Sequence, residues 1–218
     1  MAEINLMRNY PPTKRDLTER ASEKTTEDIL IAKRFGVDFF DGDRRYGYGG
    51  YHYHPRFFSQ VVKDMIHHYN LNNQSSILDV GCAKGFMLYE FQQALPGAVI
   101  RGIDISSYAI ENSKPEVRPH LSVGNARNLG QFNDKEFDLA VSITTLHNLP
   151  YEECVQAIKE IQRVGKNAFI TLDAWRTDEE KKRMKEWCLT AETVMHADGW
   201  KELFSQIGYT GDFWWFIP

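Results

Sequence analysis

The chain has few cysteines and no long apolar run. Its three cysteines, Cys82, Cys154 and Cys188, lie far apart among 218 residues, are odd in number and form no C-x-x-C pair. A disulfide framework or a zinc site is therefore not expected, no metal is predicted, and a reducing cytoplasmic location is the default expectation. No apolar stretch approaches the roughly 20 residues that span a bilayer. The first residues also lack the apolar segment of a secretory signal, so no membrane partner is expected.

The chain also lacks an excess of positive charge. It carries 26 Lys and Arg against 30 Asp and Glu, which gives a formal net charge of −4. Proteins that bind a nucleic-acid duplex usually present a basic face, so no nucleic-acid partner is expected. The total charge does not exclude a local basic patch. Apolar residues make up 42% of the chain, enough for one globular domain with an extension. The oligomeric state does not follow from these totals.

Two stretches of the first 70 residues have helical periodicity. Residues 25–40 and 57–71 are predicted helices, the first capped by Thr25 or Thr26, while residues 1–24 are expected to be loose or loosely docked. Between the helices, residues 41–58 have no helical or strand period and are rich in Gly, Tyr and His. We therefore separate an N-terminal helical extension with a Gly/Tyr lid, residues 1–70, from a core at residues 71–218.

From residue 75 onward, short apolar runs alternate with helical stretches. Alternation of this kind predicts βαβ units and an α/β fold, with a mainly parallel sheet covered by helices on both faces. The predicted strands are 76–80, 98–104, 120–124, 137–143, 167–174 and 212–217, and the predicted helices are 85–95, 106–113, 151–164, 177–189 and 198–208. Residues 190–195 read equally as strand or loop.

A glycine-containing turn, residues 79–85, follows the first predicted strand. The dinucleotide fingerprint G-x-G-x-x-G fails here, because Ala83 and Phe86 occupy its second and third glycine positions, and a P-loop sequence is absent. The turn instead resembles the D-x-G-x-G-x-G motif of class I S-adenosylmethionine-dependent methyltransferases. Ala83 replaces the usual middle glycine, which is tolerated easily at negative φ and costs about 1 kcal/mol or more at positive φ.

The resemblance implies a Rossmann-like class I methyltransferase fold with an N-terminal helical cap, and S-adenosyl-L-methionine as cofactor. In that family the acid of the turn, here Asp79, lies near the methionine ammonium; a strand-end cap of the next turn is the alternative. Asp104, 25 residues further on, would accept hydrogen bonds from the ribose, and Asn125 would meet the adenine edge. The cofactor-binding residues implied are Asp79, Gly81, Cys82, Ala83, Gly85, Asp104, Ile105, Asn125 and Ala126. Tyr46 and Tyr51 are added to them from the Gly/Tyr/His segment, because aromatic faces attract a sulfonium.

His147 follows the fourth predicted strand and is the candidate catalytic base. An ordinary imidazole titrates near neutral pH, which suits a base for a hydroxyl or amine acceptor. The alternative, equally weighted, is a histidine that fixes its loop by hydrogen bonding.

The Gly/Tyr/His segment is predicted to fold over the ligand. Aromatic faces attract a sulfonium cation, and tyrosines and arginines hold polar groups. An aromatic surface loop packed on the N-terminal helices is the alternative. The residues assigned to the acceptor are Arg45, Tyr48, His52, Thr145 and Asp173.

These features together favour an S-adenosylmethionine-dependent methyltransferase acting on O or N of a small polar metabolite, with a sugar derivative as one candidate. Three alternatives remain at this level. They are a methyltransferase that modifies protein or RNA, a methyltransferase-like binding module without catalysis, and a nicotinamide oxidoreductase.

Overall fold

A computed structural model describes residues 1–12 and 24–218 of the chain. The seven strands are β1 Ser76–Val80, β2 Val99–Asp104, β3 Leu121–Val123, β4 Phe137–Ile143, β5 Gly165–Trp175, β6 Met195–His196 and β7 Asp212–Phe216. The α-helices of the described residues are α1 Thr26–Ala32, α2 Val37–Phe40, α3 Pro55–His68, α4 Phe86–Ala94, α5 Ser107–Glu111, α6 Tyr151–Val164, α7 Asp178–Trp187 and α8 Ala197–Ile207. Short 3₁₀ turns lie at Arg118–His120 and Leu146–Asn148.

The strands form one sheet in the order β3-β2-β1-β4-β5, with β6 and β7 both paired to β5. Each of these strand pairings is parallel. The predicted α/β class with a mainly parallel sheet is confirmed, because each crossover helix returns the chain to the same end of the sheet. The undecided stretch 190–195 is loop except for Met195, which begins β6.

Helices cover both faces of the sheet. Alternation along β1 sends Ile77 to a cluster with α3 and α4, while Leu78 and Val80 join the opposite cluster with α6 and α8. Val61 and Met65 of α3 lie in the same buried cluster as Ile77. The N-terminal extension thus packs directly on the sheet, and the boundary at residue 70 stays a prediction.

The predicted helix 25–40 is wrong as one element, because it is broken into α1 and α2. Thr25 caps α1 as expected, with its hydroxyl accepting from the Asp28 amide and the Asp28 side chain accepting from the Thr25 amide. The break comes at Phe35, whose φ of +48° is left-handed, followed by Gly36. A left-handed residue cannot continue a right-handed helix, so the chain turns there.

The first twelve residues are docked more firmly than the sequence indicated. The Ile4 amide donates to the Phe213 carbonyl at 3.0 Å, and the Phe213 amide donates to the Ala2 carbonyl at 3.0 Å, so the start of the chain pairs with β7. Leu6 is buried in the cluster that contains α3. The remainder of the expected loose region, residues 13–23, lies outside the described residues.

Candidate functional site

The turn between β1 and α4 has left-handed backbone at three positions. Gly81, Ala83 and Gly85 have φ of +85°, +48° and +73°. A Cβ at Gly81 would lie 2.2 Å from the Thr145 hydroxyl oxygen, so glycine is required both by conformation and by the close approach of the loop after β4. The turn therefore brings Thr145, predicted from sequence to face the acceptor, against the predicted cofactor site.

Ala83 has a positive φ of +48°, the more costly of the two conformations considered for it. Its positive φ carries a steric cost of about 1 kcal/mol for a residue with a Cβ. Its amide donates to Asp104 Oδ2 at 2.7 Å, and this bond offsets part of the cost. The neighbouring Cys82 is buried and its side chain lies near Gly102 on β2, so its main chain is the part that can face a ligand.

Asp104 ties two loops to the end of β2. Its Oδ1 accepts from the Ser106 amide at 2.8 Å and its Oδ2 from the Ala83 amide. Burial raises the pKa of this carboxyl, and the two amide bonds oppose the rise. Each oxygen keeps a further lone pair, so a ribose hydroxyl can still donate to it.

Asp79 is a buried carboxylate that accepts no hydrogen bond from the residues described. It is 3% exposed. Burial, with the nearby negative charge of Asp104, raises its pKa to about 8. A charged carboxylate in such a place is costly unless a cation pairs with it. The ammonium of the predicted cofactor is a group of the kind that this position lacks, so the residues present fit that cofactor.

The residues assigned to the adenine end lie beside Asp104. The Gly124 amide donates to the Asp104 carbonyl at 2.9 Å, which brings Asn125 next to β2. Asn125 Oδ1 accepts from the Arg127 amide at 3.1 Å, a bond that leaves the side-chain NH₂ to donate. Ile105 is 55% exposed at the end of β2, an apolar surface for a planar ring, and Ala126 packs on the core below.

A buried lysine of the glycine turn holds the part of the Gly/Tyr/His segment that precedes α3, residues 41–54. Lys84 Nζ lies 2.8 and 2.6 Å from the two carboxylate oxygens of Asp41 and 3.1 Å from the Tyr51 carbonyl. Asp41 also accepts from the Tyr108 hydroxyl and the Tyr51 amide, and these bonds hold the pKa of Asp41 down at about 2, against the effect of burial. Sequence reasoning missed both Lys84 and Asp41; the only signal was a lysine inside a glycine motif.

One of the predicted aromatic residues, Tyr51, packs on the first residue of α4, directly after the turn, and a second, Tyr48, packs on Tyr51. The Tyr51 ring is 4.8 Å from the Phe86 ring, and the Tyr48 ring is 4.3 Å from Tyr51. Burial raises the pKa of Tyr51 well above its usual value, with the charges of Asp79 and Asp104 adding to the rise. The Tyr51 ring is therefore a partly buried group that packs on Phe86 at the start of α4.

Other predicted lid residues make contacts elsewhere in the N-terminal extension. Arg45 donates to Asp28 Oδ1 at 3.0 and 2.6 Å, and its guanidinium lies 5.0 Å from the Tyr46 ring. His52 is exposed and lies near Gly50. These contacts support the packing role for Arg45 and Tyr46 more than the ligand role, which stays a prediction.

His147 and Asp173 form a buried pair at the ends of β4 and β5. The Asp173 amide donates to His147 Nδ1 at 3.1 Å, and His147 Nε2 lies 3.5 Å from Asp173 Oδ1. Burial lowers the pKa of His147 to about 3 and raises that of Asp173 to about 8. Both ring nitrogens face Asp173, which favours the structural alternative for His147; its role as base remains untested.

Sequence comparison gives a match to part of the chain. Residues 78–168, which run from the second half of β1 to the start of β5, match the profile of a family described as "Methyltransferase domain". No curated protein matches the chain. None of the helices in the described part of the chain has the length and apolarity needed to cross a membrane.

Solved structures share the fold. The YcgJ protein from Bacillus subtilis is 18% identical with a TM-score of 0.55, over 67% of this chain and 66% of that chain. The PH0226 protein from Pyrococcus horikoshii is 19% identical with a TM-score of 0.55, over 79% of this chain and 87% of the other. A SAM-dependent methyltransferase from Archaeoglobus fulgidus is 17% identical with a TM-score of 0.53, over 71% of each chain. The chain therefore spans just under two thirds of the length of YcgJ.

Proposed function

We propose that this chain, a member of the class I S-adenosylmethionine-dependent methyltransferase superfamily, transfers a methyl group to O or N of a small polar metabolite. The observation that carries the proposal is the glycine turn with two buried acids beside it. The Asp79 side chain accepts no hydrogen bond from residues 1–12 or 24–218, and Asp104 lies at the end of the next strand. A sugar derivative remains one candidate for the acceptor.

The chain's own residues divide the cofactor between them. Asp79 would pair with the ammonium, Asp104 would accept from the ribose, and Asn125 with Ile105 would meet the adenine. The cofactor supplies a methyl group already activated on a sulfonium sulfur. The protein then has to align the acceptor and exclude water.

The cap over the strand ends supports a small acceptor. The cap, residues 24–54, is fastened on one side where the Ser106 hydroxyl donates to the Phe35 carbonyl and Lys84 pairs with Asp41. On the other side, Lys33 pairs with Glu192 at 2.9 Å. A cap that is anchored on both sides leaves less room for a protein or RNA substrate than an open cleft would.

Calorimetry with S-adenosylmethionine tests the proposal. We expect binding in the micromolar range, weakened at least tenfold in Asp79→Asn. Asp134→Asn is the matched control, because its side chain is 76% exposed at the opposite end of the strands. Absence of binding up to millimolar concentration contradicts the proposal, and a response to NADH instead favours the oxidoreductase.

Mass spectrometry of an extract incubated with trideuteromethyl-labelled cofactor then identifies the acceptor class. Label on small molecules supports the proposal. Label confined to protein or RNA favours the macromolecular alternative, and cofactor binding with no label in any fraction favours the binding module.

A further inference from the structure

In the part of the chain that the structure describes, Asp173 is a second buried acid with no paired cation. Asp173 is 4% exposed. Within the described residues the one charged or titratable side chain at ion-pair distance is His147, and no donor bonds to Asp173 Oδ2. Asp79 is in the same situation, and there the proposed counter-charge is the ammonium of the cofactor. A buried carboxylate without a counter-charge is energetically costly, so a ligand that carries a positive charge gains binding free energy by pairing with it.

His147 does not supply that positive charge. Its Nδ1 accepts a hydrogen bond from the Asp173 amide at 3.1 Å, and a nitrogen that accepts holds no proton. The ring is therefore neutral, with its one proton on Nε2, and that nitrogen lies 3.5 Å from Asp173 Oδ1. His147 thus lies beside the carboxylate but leaves its charge uncompensated.

Asp173 lies on the acceptor side of the cofactor turn. Thr145 packs against Gly81 of that turn, and the adjacent Thr144 amide donates to Thr171 Oγ1 at 2.8 Å, two residues before Asp173 on β5. Side chains two apart on a strand share a face. A continuous series of contacts therefore leads from the cofactor turn to Asp173.

An aromatic residue of β7 is paired with Asp173, and a second aromatic ring packs on it. Phe216 of β7 is the ladder partner of Asp173, and the Trp187 ring lies 5.2 Å from the Phe216 ring. Paired residues of a parallel ladder lie on one face of the sheet, so Asp173 and Phe216 are neighbours. Aromatic faces together with a carboxylate favour a positively charged nitrogen over a neutral hydroxyl.

We propose that the acceptor is a small amine, whose ammonium pairs with Asp173 and gives it the proton that must leave before methylation. The proton passes from nitrogen to Asp173 Oδ2, and the freed lone pair forms the N–C bond. The C–S bond of the donor breaks as its electron pair stays on sulfur. The products are a methylammonium, a neutral thioether and a protonated Asp173, which loses its proton to water. This inference rests on the proposed methyl transfer and specifies its acceptor.

The test compares wild-type protein with Asp173→Asn, using trideuteromethyl-labelled cofactor and a small-molecule extract. Fragmentation in the mass spectrometer identifies the atom that carries the labelled methyl. We expect the label on amine nitrogen in wild type, a loss of at least 100-fold in Asp173→Asn, and cofactor affinities within twofold of each other. Asp134→Asn should behave as wild type.

The outcomes separate the two proposals. Label on oxygen, or on macromolecules, or no label although the cofactor binds, overturns the amine inference and leaves cofactor binding intact. Failure of the wild type to bind the cofactor overturns the proposed function itself. Asparagine keeps the size of aspartate and leaves the backbone bond to His147 Nδ1 in place, and a thermal melt identifies any loss of folding. Full labelling of nitrogen by a folded Asp173→Asn variant removes Asp173 as the proton acceptor.

Discussion

Lys84 and Asp41 join the glycine turn, residues 79–85, to the cap through an ion pair, with Nζ 2.8 and 2.6 Å from the two carboxylate oxygens. The lysine side chain is 7% exposed and the aspartate 22%. Lys84 lies between two left-handed residues of the turn, so any displacement of the turn moves the cap as well. The pair thus couples the shape of the proposed cofactor site to the position of Tyr51, whose carbonyl also accepts from Lys84.

Lys84→Met should destabilise the protein and weaken the cofactor site. Removing one partner of a buried ion pair strands the other charge and costs about 3 kcal/mol or more, and the partly exposed Asp41 places the expected loss at the low end of that range. Chemical denaturation measures the free energy of unfolding, and calorimetry the cofactor affinity, which we expect to fall at least tenfold.

Lys166→Met is the control for that variant. Its ion pair with Asp138 is 57% and 30% exposed, so the expected cost is below about 1 kcal/mol. A double variant, Lys84→Met with Asp41→Leu, should lose less stability than the two single variants summed. Equal effects of Lys84→Met and Lys166→Met would contradict the coupling.

Cofactor affinity should fall as the pH drops below 8. Burial raises the folded pKa of Asp79 to about 8, so below that pH the group is protonated and no longer attracts an ammonium. The fall approaches tenfold per pH unit, because one pKa unit is worth about 1.4 kcal/mol. Asp79→Asn should bind more weakly and lose this pH dependence, as measured by calorimetry from pH 6 to pH 8.

The same carboxyl makes folding stability depend on pH. The unfolded pKa of an aspartate is about 3.9, so from there up to about pH 8 the folded state binds more protons than the unfolded state, and stability falls as the pH rises. Asp79→Asn should flatten this part of the curve. A wild-type stability that rises more steeply between pH 5 and 8 than that of the variant would contradict the raised pKa.

Gly81→Ala should abolish cofactor binding. The added Cβ would meet Thr145 at 2.2 Å, in addition to the strain of a left-handed residue, so the turn and the loop after β4 must separate. Gly208→Ala is the matched control, because Gly208 has a φ of +67° with no atom within 4 Å of the added Cβ. We expect the control to lose about 1 kcal/mol of stability and none of its cofactor affinity. Equal cofactor affinities in the two variants would show that the contact is unimportant.

His147→Asn separates the structural and catalytic roles of His147. An asparagine Oδ1 can accept from the Asp173 amide in place of Nδ1, so we expect it to keep most of the stability that His147→Ala loses, about 1–3 kcal/mol. If His147 acts only by orienting Asp173, turnover should follow stability across the two variants. A folded His147→Asn with wild-type cofactor affinity and a complete loss of turnover would restore His147 as the base.

Local chemistry determined the parts that sequence reasoning placed correctly. Buried parallel strands need largely apolar runs, so β1, β2, β4 and β5 were identifiable as strands, whereas the short edge strand β3 is mostly exposed. The glycine turn was identifiable from residues 79–85 because few side chains tolerate its backbone. The acids Asp79 and Asp104 followed from their positions at strand ends, where parallel topology brings them to one edge. The family resemblance then assigned the cofactor.

Only the tertiary structure decided which side chains meet. Lys84 and Asp41 are 43 residues apart, and no periodicity connects a lysine in a turn with an aspartate in an irregular segment. Arg45, expected at the acceptor, pairs with Asp28, because the break at Phe35 folds α2 back and turns the arginine toward α1. His147 and Asp173, singled out separately, meet at 3.5 Å because β4 and β5 are parallel neighbours. The sequence thus determined the backbone frame through local preferences, and long-range packing determined how its charges pair.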